Sequence, residues 1–243
     1  MTDALRRAIR EELSGSAVEV APRLLGAELR TVVDDGDGPV EVRLRITEVE
    51  AYHGQGTGEI ADPGSHARMG RTARNATMWG EPGHLYVYLS HGIHSCVNVV
   101  CGPLGQGDGV LLRAGEIVGG VDAAARRRGV SLPLGRTAAR DLARGPGRLG
   151  QAVGLRHPLH DGIDAIADGV RHGARAELWM GAPRTDVARG PRVGVAGVAG
   201  TDVFPWRFWI EGDPTVSPFR WGRGAADAAQ GLRGSGGAEP VLN

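Results

Sequence analysis

The chain has 243 residues, a hydrophobic content of 41% and a formal net charge of zero, which fits one large domain or two small ones around a buried core. No apolar run approaches the roughly 20 residues needed to span a bilayer, and two cysteines provide no disulfide framework, so a reducing cytosol is expected. All 28 basic residues are arginine, which excludes Schiff-base chemistry on a lysine and a Walker-type lysine alike.

Residues 5–13 predict a short helix ended by Ser14-Gly15, so residues 1–17 read as an N-terminal helix or arm. The domain proper is expected over residues 18–221. Two strands flank Asp34-Asp35-Gly36-Asp37-Gly38-Pro39, a hairpin signal. The closing glutamate of an EF-hand loop is missing there, so the aspartates read as a turn. Residues 85–89 and 93–100 read as paired strands joined by Ser90-His91-Gly92, with a third strand over 110–114. Helices are predicted over 119–128 and 137–144, and Pro146 suits the first turn of another through residue 155. Short strands return at 176–179, 192–195 and 206–210. Residues 222–243, rich in glycine and alanine, read as a disordered tail. With no repeat and no linker, a single mixed domain is the expectation.

A neutral chain can bind a polyanion only through local positive surface. The run 64–80 holds Arg68, Arg71 and Arg74 with no acid. Arg136, Arg140 and Arg144 are spaced four apart, which would put them on one helix face.

The strand over residues 40–52 carries the chemistry. Alternation sets Val40, Val42, Leu44 and Ile46 on one face and Glu41, Arg43, Arg45 and Thr47 on the other. Continued without a bulge, it brings Glu48, Glu50 and Tyr52 onto the apolar face, where carboxylates must line a pocket or find partners. The alternatives are a bulge that resets the register, or an ion pair with a nearby arginine. A carboxylate here suits N-glycosidic hydrolysis, because purine departure leaves an oxocarbenium-like sugar that a carboxylate stabilises while it orients water. Reaching that bond in duplex DNA requires an extruded base, aromatic walls to hold it and a wedge to fill the gap. Tyr52, His66 and Tyr88 are candidate walls and His91, at the hairpin tip, the candidate wedge; strand packing explains Tyr86 and Tyr88 equally well. His91, His94, Cys96 and Cys101 lack the paired spacing of zinc sites and the motif of zinc deaminases, so no metal is expected.

Several segments occur together and in one order. They are Ile46-Thr47-Glu48-Val49-Glu50-Ala51-Tyr52, Ser65-His66-Ala67, the acid-free run from Arg68 to Asn75, and the stretch from Gly83 to Asn98. Leu111-Leu112-Arg113-Ala114, Leu142 to Leu149, Arg192-Val193-Gly194-Val195 and Trp206-Arg207-Phe208 follow. In this arrangement the chain resembles the alkyladenine (3-methyladenine) DNA glycosylase family over about residues 22–217. The resemblance implies an α+β fold: a curved, open-barrel-like antiparallel sheet with surrounding helices and a protruding β-hairpin. It also implies a monofunctional enzyme of base excision repair that flips out and hydrolyses alkylated purines, with deaminated purines as a further class. Such an enzyme works as a monomer on double-stranded DNA from the minor groove, in the cytoplasm beside the nucleoid, with no membrane, metal or cofactor.

Carried over by position, Glu50 resembles the general base that activates water, and Arg113 its partner. Tyr52 and His66 resemble the pair that sandwiches the flipped base, with Tyr88 as another wall. Asn98 resembles the side chain whose amide crowds the amino group of guanine, and the backbone of Val195 the group that helps to position water. Better-known members carry tyrosine at the hairpin tip, where this chain has the smaller His91. Glu48 receives no role. A catalytically silent, damage-binding flipping protein is the alternative; it would keep Tyr52, His66 and His91 without needing Glu50 or Arg113. A carboxylate-pair glycosidase built on Glu48 and Glu50 fits poorly, since both acids would approach the sugar from one side.

Overall fold

A computed structural model of the chain describes residues 4–36 and 38–234. Twelve strands among them form one sheet that curls into a half-barrel, with every pairing antiparallel. In chain order they are β1 (Arg6–Arg7), β2 (Glu28–Asp34), β3 (Pro39–Tyr52), β4 (His84–Ser90), β5 (His94–Cys101), β6 (Asp108–Gly119), β7 (Ala143–Arg144), β8 (Ile163–Asp164), β9 (Val170–Arg171), β10 (Ala174–Met180), β11 (Val187–Gly190) and β12 (Arg207–Ile210). The main path runs β1-β10-β2-β3-β6-β5-β4-β8, and β12 pairs with both β11 and β3. Five α-helices among the described residues accompany the sheet: α1 (Ala17–Val20), α2 (Val121–Arg128), α3 (Arg136–Asp141), α4 (Pro146–Ala152) and α5 (Ala225–Gly234). The expected single α+β domain is what the chain forms. Among the described residues no helix is long and apolar enough to cross a membrane.

β-Branched residues supply much of β3, and its partner β6 is apolar along most of its length, as a buried sheet centre requires. Leu29, Leu44, Ile46, Val49, Leu112 and Leu178 are fully buried in one cluster, each contributing about 1.5–3 kcal/mol by leaving water. Ala8, Leu13 and Ala17 from the N-terminal segment join the same cluster.

The register of β3 against β6 decides where the acids go. Ile46 pairs with Gly115, Glu48 with Ala114 and Val49 with Leu112, so the ladder skips first Thr47 and then Arg113. Each skip reverses the face only on the strand that carries it, Thr47 on β3 and Arg113 on β6. Val49 and Ala51 therefore succeed Val42, Leu44 and Ile46 in the core. The uninterrupted alternation is thus corrected: Glu48, Glu50 and Tyr52 leave the core face. Gly115 permits the bulge, because a Cβ there would sit 2.5 Å from the Arg45 carbonyl oxygen.

Other local expectations change as well. Residues 5–13 form strand β1 and a 3-10 turn at Arg10–Leu13 rather than a helix; Arg6 and Arg7 pair with Met180 and Trp179 on β10, covering an otherwise open edge. Residues 192–195 form a turn with Gly194 at φ +72°, not a strand. Of the arginines expected on one helix face, Arg136 and Arg140 lie four apart in α3, but Arg144 does not join them, since α3 stops at Asp141 and Arg144 lies in β7. The helix opened by Pro146 ends at Ala152. Within the expected tail, α5 forms because alanine is the best helix former and buries Ala225 and Ala229. Residues 235–243 of that tail, residues 1–3 of the arm and Asp37 of the hairpin turn lie outside the described residues.

Candidate active site

At the end of β3, Glu50 is fully buried, yet its carboxylate has partners on both oxygens. Oε1 accepts the backbone N–H of Val193 at 2.6 Å. Oε2 accepts the Tyr52 hydroxyl at 2.8 Å and Nη1 of Arg113 at 3.2 Å. Burial pushes the Tyr52 phenol well above its ordinary range, and the neighbouring Glu50 charge adds to the effect; the hydroxyl thus stays protonated and donates to the carboxylate. Burial works against charge on Arg113, but the Glu50 and Glu48 carboxylates outweigh it and hold the guanidinium firmly protonated.

Glu48, also fully buried, occupies the far side of Arg113. Its Oε1 accepts Arg113 Nε at 3.0 Å, Arg207 Nε at 2.7 Å and the Ser217 hydroxyl at 2.9 Å. Its Oε2 accepts the Ser217 N–H at 2.6 Å. Two carboxylates and two arginines thus balance charge within one buried cluster, which is the condition for keeping ions out of water.

Above this floor opens a cleft of about 1300 Å³, larger than the roughly 300–1,000 Å³ of a small-molecule pocket. Tyr52, His66, Tyr88, Asn98, Arg113 and Val195 all line it, as does His91 at its rim. The structure therefore gathers the sequence-predicted residues other than Glu50 along one lining and sets Glu50 directly behind Tyr52 and Arg113. The His66 ring meets Tyr88 edge-on at 4.7 Å, and Tyr86 stacks on Tyr88 at 5.5 Å. Partial desolvation against the cleft wall, with Arg68 and Arg74, lowers the pKa of the still solvent-exposed His66 below its ordinary value, so the ring is neutral near pH 7. Asn98 donates its amide to the Tyr86 carbonyl at 3.1 Å, which fixes the side chain on the wall. At the tip of the β4–β5 hairpin, Ile93 N–H bonds to the Ser90 carbonyl while His91 and Gly92 have φ of 50° and 71°, the two positive values that a type I′ turn needs. His91 is thereby held out into solvent.

Among the described residues, the cleft lining carries six arginines and no Asp or Glu. A chain with no net charge has concentrated positive surface at one opening, which attracts a polyanion and keeps the floor from repelling it. Arg68 and Arg74 come from the acid-free run, whereas Arg71 is not part of the lining.

Sequence reading missed the support of this site. Arg192 is fully buried, binds both oxygens of Asp62 at 2.7 Å and lies 4.5 Å from the Tyr52 ring centroid. It fixes the wall residue from behind and anchors the turn that delivers the Val193 N–H. Val195 lines the cleft, with its carbonyl packed against Gly200 and Gly222; the backbone group that touches Glu50 belongs to Val193. Arg207 and Ser217 reach Glu48 from β12 and the segment after it. An arginine inside an otherwise apolar strand, as in Trp206-Arg207-Phe208, was the available signal. Cys96 and Cys101 are both buried free thiols.

The sequence profile of the methylpurine-DNA glycosylase family matches residues 11–214. The chain is 49% identical over 211 residues to a protein of Leifsonia xyli subsp. xyli, covering 87% of this chain and 92% of that one. It is 48% identical over 213 residues to a Streptomyces avermitilis protein, covering 87% and 91% respectively. A Nocardia farcinica protein is 48% identical over 219 residues, covering 90% and 94%. All three relatives carry 3-methyladenine DNA glycosylase in their names.

Proposed function

The chain belongs to the methylpurine-DNA glycosylase family, and we propose that it extrudes alkylated purines from duplex DNA and hydrolyses their bond to deoxyribose. The carrying observation is the buried Glu50–Arg113 contact of 3.2 Å behind a cleft walled by aromatic rings. In this reading the flipped base lies between Tyr52 and His66 with Tyr88 alongside, and His91 enters the stack from the minor groove. Asn98 crowds the amino group of normal guanine. The enzyme acts as a monomer, without metal or cofactor, in the cytoplasm beside the nucleoid.

The hydrolytic step is balanced by these groups. Glu50 takes a proton from water, whose oxygen bonds to C1′ as the C1′–N electron pair leaves with the purine. Arg113 and the Val193 N–H hold the carboxylate in place, and the backbone at Val195 borders the water's approach. An alkylated purine already carries positive charge and departs as a neutral base, so it needs no strong general acid. A neutral lesion such as hypoxanthine lacks that advantage, so its release is slower. Lysine is absent from the sequence, which supports hydrolysis without lysine-based strand cleavage.

A silent flipping protein is not favoured, because nothing in binding alone calls for two carboxylates and two arginines ordered behind the base. The test is to incubate the protein with methylated duplex DNA and measure free purine, alongside Glu50→Gln. The variant is expected to bind lesion DNA and lose release by about 10²–10⁴-fold, the usual contribution of a positioned base. Release at the wild-type rate would remove Glu50 from the mechanism.

A further inference from the structure

Glu48 is as deeply buried as Glu50, but all its contacts point inward. Its two oxygens accept four hydrogen bonds, from Arg113, Arg207 and both the hydroxyl and the N–H of Ser217. A carboxylate so fully engaged has no lone pair left for water. Its contact with Arg113 is through Nε, the one guanidinium nitrogen whose direction is fixed by the side-chain stem. That leaves Nη1 for Glu50 and turns Nη2 toward the Ser217 hydroxyl at 3.4 Å.

We propose that Glu48, held by Arg207 and Ser217, is the positioning residue of the hydrolytic centre. The proposal rests on the reading of Glu50 as the base. Glu48 acts in two ways. It holds Arg113 so that only one nitrogen meets Glu50, which keeps the arginine from forming a two-pronged pair that would tie up both carboxylate oxygens. It also supplies the second negative charge that balances Arg113 and Arg207. Without it, the charge of Arg113 would face Glu50 unbalanced, favouring its ionised form and weakening it as a proton acceptor. Arg113 occupies the bulge in β6, so the same irregularity that brings it to Glu50 leaves its side chain in need of an anchor.

The experiment compares wild type, Glu48→Gln, Ser217→Ala and Glu50→Gln. Single-turnover release of 7-methylguanine from duplex DNA is measured across pH, with affinity for lesion DNA and thermal midpoint measured in parallel. Glu48→Gln is expected to bind DNA within about threefold of wild type and to release base about 10- to 100-fold more slowly, as displaced reacting groups do. The acid limb of its pH–rate profile should move to lower pH, because a negative charge has been removed. A merely structural role would lower the thermal midpoint without moving that limb. Ser217→Ala removes the hydroxyl's contacts with Glu48 and Arg113 and keeps the backbone bond to Glu48, so it decides the matter if Glu48→Gln does not fold. A severalfold slower release with unchanged affinity supports the proposal, and a wild-type rate overturns it. Normal rate and profile in a folded Glu48→Gln also overturn it. If Glu50→Gln releases base normally, the underlying reading fails instead, and the two failures are told apart.

Discussion

The backbone N–H of Val193 lies 2.6 Å from Glu50 Oε1, across 143 residues of sequence. One side chain at a strand end is thus set by a turn that folds back from β11, and Arg192 fastens that turn to Asp62. The acid is positioned by the closure of the domain rather than by its own strand.

Tyr52 has two tasks that one substitution separates. Tyr52→Phe keeps the ring against the Arg192 guanidinium and deletes the donor to Glu50. A hydrogen bond to a charged group is worth about 1.5–3 kcal/mol, so base release should slow by about 10- to 100-fold. Affinity for lesion DNA should stay near wild type. Equal losses in affinity and rate would mean that the hydroxyl acts in binding.

Acid should weaken the fold through His66. Its pKa is lowered from 6.5 by partial desolvation and then by Arg68 and Arg74, so as pH falls below 6.5 the unfolded chain takes up the proton first. The contribution of the neutral ring is complete above that pH and is lost as pH falls toward the folded value. Thermal midpoints measured from pH 7.5 to 5 should fall less steeply for His66→Phe than for wild type. His160, also lowered by burial and by Arg156, leaves a residual slope. Parallel curves would contradict the neutral assignment.

At the hairpin tip, His91 tests the wedge. Contact between a base and an aromatic side chain is worth about 1–3 kcal/mol, so His91→Ala should bind lesion DNA about tenfold more weakly. His91→Tyr should bind more tightly, with more of the base extruded. Fluorescence of 2-aminopurine beside the lesion reports both. An unchanged signal in His91→Ala would mean that another group opens the stack.

Gly222 is an unusual control point. A Cβ there would lie 2.1 Å from the Val195 carbonyl oxygen and 2.7 Å from the Gly194 carbonyl carbon, so Gly222→Ala must push the turn that carries Val193. Overpacking of this kind costs about 1–3 kcal/mol, and release should slow because the N–H to Glu50 moves. Gly231→Ala on α5 meets nothing within 4 Å and should raise the thermal midpoint with no change in rate. If both variants behave alike, the close packing at Gly222 does not set the site.

The sequence by itself determined much of the site's content. The order of its motifs, the Glu-Val-Glu-Ala-Tyr strand end, the hairpin with His91 at its apex and Arg113 in an apolar strand were all legible, because each is a local pattern. The lack of a repeat or linker pointed to a single mixed domain, and the resemblance carried by those motifs implied its α+β fold. The facing of Glu48 and Glu50 was decided elsewhere. Alternation assigns them to the core, and only the skip at Thr47, imposed by pairing between β3 and β6, turns them out of it, while the skip at Arg113 re-aims β6. The helix at Ala225–Gly234 likewise depends on a surface that its own residues do not reveal. Tertiary structure alone supplied Val193, Arg207 and Ser217 to the two acids, because a buried carboxylate needs several donors at once and no single strand presents them. Residue types fix which groups can do the chemistry, while the desolvation of charge fixes which distant segments must close around them.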